Sequence, residues 1–196
     1  MDNQTYIFIG RSGSGKGTQV DKLIVFLKSK GESDFFHLEA GNSFREFISN
    51  DGYSEKIAKD IAEKGELQPE FLSVWAWGNE LVEKFKGNKF FFIDGTPRRE
   101  IEAKVLESAF NFYGLNNINI IYLHTSRECS IDRMKKRKRA DDVEEKSIQE
   151  RMNWFENEVS EVIDYYRAHK SHNFIEIKGE QSIDKVHEDI LKSLDL

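Results

Sequence analysis

Nine residues near the start of the chain, Gly10-Arg11-Ser12-Gly13-Ser14-Gly15-Lys16-Gly17-Thr18, combine the residue types needed to hold a phosphate. Glycines let consecutive backbone N–H groups curl around phosphate oxygens where a Cβ would clash, and a lysine adds a point charge. The run follows a short apolar segment, 5–9, and precedes apolar residues at helical spacing (Val20, Leu23, Ile24, Leu27). In a strand–loop–helix setting, the loop also gains the partial positive charge of the helix N-terminus. A glycine-rich turn with an incidental lysine is the plain alternative, but it leaves this register unexplained. The loop is therefore expected to bind a nucleoside triphosphate or something much like it.

A second set of candidates is cationic: Arg45, Arg98, Arg137, Arg139 and Arg151, together with Lys16. Guanidinium forks match phosphate oxygens in a fixed geometry. Asp94 ends the apolar run Phe90-Phe91-Phe92-Ile93, where a carboxylate can hold Mg²⁺ through water. Asp-Gly is also a common turn pair, but Arg98 directly after Pro97 favours the functional reading. Phosphoryl transfer onto another phosphate needs no general base, because the acceptor is already ionised. It needs positioning and charge stabilisation of an in-line displacement. None of the five histidines falls in these motifs, and such a reaction asks for none.

The elements that must position these residues are legible as alternation. Apolar runs at 5–9, 35–38, 90–93, 118–123 and 174–177 read as strands. Helical patterns are expected at 16–30, 99–113, 127–138, 143–170 and 183–194, with several short helices between 41 and 86. Strands alternating with helices imply an α/β fold, a five-stranded parallel sheet covered by helices on both faces. The 41–86 stretch is too long for a simple crossover and reads as a helical insert. Phe71, Val74, Trp75, Gly78, Val82 and Phe85, at helical spacing, are expected to pack insert against core, and Trp154 and Phe155 to lie in the core. Cys129 has no partner for metal or redox chemistry.

The 196 residues suit one domain, and no linker or repeat divides them. An aromatic share of 12% argues against disorder, and no apolar run approaches the ~20 residues of a membrane helix. One cysteine and a polar, acidic start point to a reducing cytoplasm without a signal peptide. Net charge is −6, yet six of the 29 Lys and Arg side chains fall in 133–139, and without them the acidic excess doubles. A solvated helix face or a nucleic-acid patch are the bland readings of that run. A positive spot on an acidic body instead suits a small polyanion, so neither nucleic acid nor membrane is expected as a partner.

Gly15-Lys16-Gly17-Thr18-Gln19 resembles the phosphate loop of adenylate kinases and the wider nucleoside monophosphate kinase family. His37–Arg45 is similar to that family's acceptor entry, Gly65-Glu66-Leu67-Gln68-Pro69 to its base-facing segment, and Asp94-Gly95-Thr96-Pro97-Arg98 to its Asp-Gly-Phe-Pro-Arg. Arg133, Arg137, Arg139-Ala140-Asp141-Asp142 and Arg151 follow its lid pattern in order. The resemblance implies a P-loop NTPase fold over 1–196, an acceptor-binding insert at 40–68 and a very short lid at about 137–142. It also implies transfer from ATP, with Mg²⁺, to a nucleoside monophosphate, by a monomer. Ser12, Gly13, Ser14, Gly15, Lys16, Gly17, Thr18, Arg133, Arg137 and Gln181 would contact ATP. Ala40, Gly41, Arg45, Gln68, Gly95, Arg98 and Glu102 would contact the acceptor. Lys16, Arg98, Arg137, Arg139 and Arg151 would be catalytic. Ser12 stands where the family usually has proline, Ala40 where it has threonine, and Glu102 where an adenylate kinase has glutamine. AMP is the expected acceptor, with GMP or UMP/CMP as alternatives and a P-loop ATPase or switch as a different class.

Overall fold

The computed structural model describes residues 3–137 and 145–196. Five strands, β1 (Gln4–Ile9), β2 (Phe35–Glu39), β3 (Phe90–Asp94), β4 (Asn117–His124) and β5 (Asn173–Lys178), form one sheet in the order β2-β3-β1-β4-β5. Every pairing is parallel. α1 (Lys16–Ser29) follows β1, and α2 (Ala40–Phe47), α3 (Tyr53–Glu63) and α4 (Glu70–Lys84) join β2 to β3. α5 (Glu100–Tyr113) links β3 to β4. β4 leads through α6 (Arg127–Arg137), α7 (Glu145–Trp154), a π-helical turn at Phe155–Val159 and α8 (Ser160–Ala168) to β5, and α9 (Ile183–Ser193) closes the chain.

The three inner strands, β3, β1 and β4, are buried on both faces because helices cover both, while β2 and β5 bury alternate residues. Side chains alternate by the strand period of two. Ile7, Leu38, Phe91, Ile93 and Ile120 face a core built with α4, α5 and α8. Tyr6, Phe8, Phe90, Phe92 and Ile121 face one built with α1 and α9. The connection from β1 runs to the β2 edge, whereas that from β3 crosses β1 in the other direction to reach β4, so a crevice opens at the carboxyl end of β1. Ile9, Glu39, Asp94 and Lys178 end four strands along that same edge.

One expectation about packing is corrected. On α4, Phe71 and Val82 are 74% and 73% exposed, and the buried residues are Leu72, Trp77 and Leu81. Of the expected stripe, Val74 and Phe85 do pack against the core, but the rest of the core face of α4 is rotated from it, because this helix carries apolar residues on more than one side. Trp75 meets Phe47 of α2 at 5.1 Å instead. Trp154 and Phe155 do pack in the core on the α5–α8 side.

Candidate active site

The phosphate loop runs from the end of β1 to the first turn of α1. Gly13 has φ +85°, and a Cβ there would lie 2.5 Å from the Ser130 carbonyl oxygen of α6, so only glycine fits. Lys16 Nζ donates to the Gly10 and Arg11 carbonyls at 2.9 and 3.1 Å, folding the side chain over the loop. A Cβ on Gly17 would meet Asp94 Oδ2 at 3.4 Å, which sets the end of β3 directly against the start of α1. Ser14 Oγ and Asp94 Oδ1, both buried, have no partner among the described residues.

Arg133 reaches from α6 across this loop. Its guanidinium donates to the Ser14 carbonyl at 3.3 Å and to the Gly179 carbonyl at 2.8 Å, spanning the loop and the β5–α9 turn. In that turn the Gln181 amide donates to the Lys178 carbonyl at 3.0 Å and to Asp189 Oδ2 at 2.8 Å.

At the other end, α2 and the β3–α5 turn bring a second cationic group together. Arg45 donates to Asn42, which donates to Glu39. Arg98 Nε donates to the Gly95 carbonyl at 2.8 Å, and the guanidinium lies 5.4 Å from the Trp154 ring centre. Burial pulls the Arg98 pKa below its ordinary value. Arg151 and Arg45 push it down further, while Glu102 and Asp94 oppose them. The two neighbouring guanidiniums thus stand close enough to Arg98 to oppose its charge, an arrangement that an anion between them would relieve.

Glu102 is 2% exposed. Its Oε2 accepts from the Thr96 hydroxyl at 3.1 Å and from the Arg98 backbone N–H at 3.0 Å, while Oε1 is buried without a partner among the described residues. Gln68 is similar: its Nε2 donates to the Ala58 carbonyl at 2.9 Å and its Oε1 is buried and unmet.

These groups border one cleft of about 710 Å³. Residues 12–18, Ala40, Gly41, Arg45, Gln68, Asp94, Gly95, Arg98, Glu102, Arg133, Arg137, Arg151 and Gln181 all line it. Arg139, and most of the lid expected at about 137–142, lie outside the described residues. The roles of three side chains escaped the sequence reading. Trp154, read only as core, also lines the cleft beneath Arg98. Arg99 anchors the segment before α4 by donating to the Gln68 carbonyl at 2.7 Å. Arg11 points away from the cleft, toward Glu156 at 3.0 Å and over the Phe155 ring at 4.4 Å. No local signal marks these, since each depends on residues far along the chain.

A glycine loop at the crevice of a five-stranded parallel sheet, facing a separate cluster of guanidiniums, defines a P-loop phosphotransferase with room for two phosphorylated ligands. The chain belongs to the adenylate kinase family, whose profile, described as adenylate kinase, matches residues 8–171. It is similar to the adenylate kinase of Caldanaerobacter subterraneus subsp. tengcongensis, at 30% identity over 96% of this chain and 95% of that one. It is 33% identical to the adenylate kinase of Prochlorococcus marinus (89% and 90% covered) and 32% identical to that of Parabacteroides distasonis (92% of each). The enzyme therefore transfers phosphate between ATP and a nucleoside monophosphate. Among the described residues, no helix is long and apolar enough to cross a membrane.

Proposed function

We propose that the acceptor is AMP, so that the reaction turns ATP and AMP into two ADP. The observation that carries this reading is the shared cleft, with the phosphate loop at one end and, at the other, Arg98 with Arg45 and Arg151 close enough to lower its pKa. A hydrolase or switch has no use for a second anion clamp. The named relatives are adenylate kinases, which favours AMP among acceptors.

In this reading Ser12 to Thr18 cradle the ATP phosphates, and Lys16 swings from its carbonyl contacts onto the outer ones. Arg133 and Gln181 border the ATP base. Arg45 and Arg98 hold the acceptor phosphate, while Ala40, Gly41, Gln68, Gly95 and Glu102 form the wall around its nucleoside. Arg137, Arg139 and Arg151 gather the charge that spreads over the phosphoryl group in transit. Residues 40–68 serve as the acceptor-binding insert and about 137–142 as the lid. Because the acceptor oxygen is already anionic, the residues orient and neutralise rather than move a proton.

Asp94 fits a hard cation: its Oδ1 is buried and unmet, it offers oxygen, and it sits against the loop. Mg²⁺ held there through water would neutralise phosphate charge. Glu102 offers one free oxygen, a match for the adenine N6 amino group. A second reading, GMP, draws on the pair of unmet oxygens on Gln68 and Glu102, which also suits a donor-rich guanine edge.

A coupled assay with ATP, Mg²⁺ and AMP, GMP, UMP or CMP tests the acceptor. The highest kcat/KM is expected for AMP. GMP in first place would overturn the acceptor, and ATP consumption that ignores added monophosphate would overturn the transfer reading itself.

A further inference from the structure

We infer that the end of the sheet remote from the cleft carries a site for a borderline divalent cation, with Zn²⁺ as the representative, held by Glu107, His169 and His172. Glu107 projects from α5, and both histidines lie between α8 and β5. His172 immediately precedes the first residue of β5, whereas the cleft opens at the carboxyl ends of the strands. One ligand atom from each of the three residues lies within 4.8 Å of the others. Zn–N and Zn–O bonds of about 2.0–2.1 Å put tetrahedral ligand atoms about 3.3 Å apart, so side-chain adjustment alone closes the set.

Three observations distinguish this cluster from a surface ion pair. His172 Nε2 already lies 2.8 Å from Glu107 Oε1, and the two side chains are only 5% and 17% exposed. The imidazoles of His169 and His172 stack at 5.1 Å and 23°, held at that spacing by the turn in which the His172 N–H donates to the His169 carbonyl. Finally, His172 Nδ1 and the nearby Tyr166 hydroxyl are both buried with no partner among the described residues. Two imidazoles and one carboxylate select Zn²⁺ and its neighbours over Mg²⁺ or Ca²⁺, which prefer oxygen alone. Such a set leaves a fourth position for water. The ion would tie α5 to the α8–β5 junction, a staple separate from the phosphoryl-transfer chemistry.

The test is titration of the whole protein, without nucleotide, with Zn²⁺ against a chromophoric chelator and with Co²⁺ read by its visible d–d bands. Wild type is expected to take up one Zn²⁺ per chain, to give the intense spectrum of four-coordinate Co²⁺, and to melt higher with Zn²⁺. His169→Ala should lower affinity more than about tenfold and abolish the spectrum while keeping phosphoryl transfer. Glu107→Gln, nearly isosteric, should also weaken binding and so covers the case in which loss of His169 harms folding. Wild type without stoichiometric uptake, or uptake unchanged in both His169→Ala and Glu107→Gln, would overturn the site.

Discussion

Glu102 divides one carboxylate between two tasks. Oε2 fastens the β3–α5 turn through Thr96 and the Arg98 N–H, and Oε1 stays unmet beside the cleft. In Glu102→Gln the amide oxygen can keep the turn bonds while the new N–H₂ supplies a donor for adenine N1. The AMP-to-GMP ratio of kcat/KM should therefore rise severalfold, the scale of one hydrogen bond at about 1 kcal/mol. An unchanged ranking in the monophosphate assay would show that Glu102 does not read the base. Lys16→Met removes the loop cation that lines the cleft. A fall in kcat of about 10²-fold or more is expected, with the melting temperature little changed, since Lys16 bonds to the Gly10 and Arg11 carbonyls of its own loop and belongs to neither core cluster. An active, stable Lys16→Met enzyme would remove Lys16 from the chemistry. The glycines and Lys16 were legible in the sequence because their chemistry is local. The burial of Glu102 was not, because it is set by a turn whose closure depends on Thr96 and Arg98 together.

At the scale of elements, the apolar runs located all five strands within a residue or so: the inner strands are covered on both faces and have no polar side to blur them, while β2 and β5 keep Phe36, Leu38, Ile175 and Ile177 buried in alternation. The long pattern at 143–170 concealed more. It contains α7, the π-helical turn and α8, and a wider turn leaves the apolar spacing almost intact. The turn places Glu156 where Arg11 of the phosphate loop and Arg127 of α6 both reach it, at 3.0 and 2.9 Å, and sets Phe155 under Arg11. It thus joins the loop to the helices that carry Arg133 and Arg151. α7 also docks on the turn between α3 and α4 through Gly65. That residue has φ +77°, a Cβ there would lie 2.6 Å from the Ser147 carbonyl oxygen, and its own carbonyl accepts from Trp154 Nε1 at 3.0 Å. Gly65→Ala must therefore both strain the backbone and push α7 outward. A loss of about 1–3 kcal/mol in urea unfolding is expected, together with a raised KM for the monophosphate as Arg151 and Trp154 move. Wild-type stability in this variant would mean that α7 yields without cost.

Across the whole molecule, the two faces of the sheet share a vulnerability to alkali. Tyr6 lies in the α1–α9 core and Tyr166 in the α5–α8 core. Burial raises the Tyr6 pKa to about 12 from an ordinary value of 10.0. Burial, reinforced by Glu107, raises that of Tyr166 well above the ordinary value. Below pH 10 both phenols are neutral whether the chain is folded or not, so their contribution to stability is fully present there. As pH rises past 10 the unfolded chain releases these protons while the folded one keeps them, and the unfolded state gains free energy. Stability should thus stay flat with respect to these groups up to about pH 10 and then fall as pH climbs through the folded value, by up to about 1.4 kcal/mol per pH unit for each tyrosine. Lysines deprotonate in the same range, so the comparison must be between variants. Urea midpoints taken from pH 8 to about 11.5 should converge for wild type and Tyr6→Phe at the alkaline end if Tyr6→Phe starts lower, because the variant lacks the proton that wild type loses on unfolding. Parallel curves would mean that the Tyr6 hydroxyl reaches water, and that this face of the sheet is more open than its packing indicates.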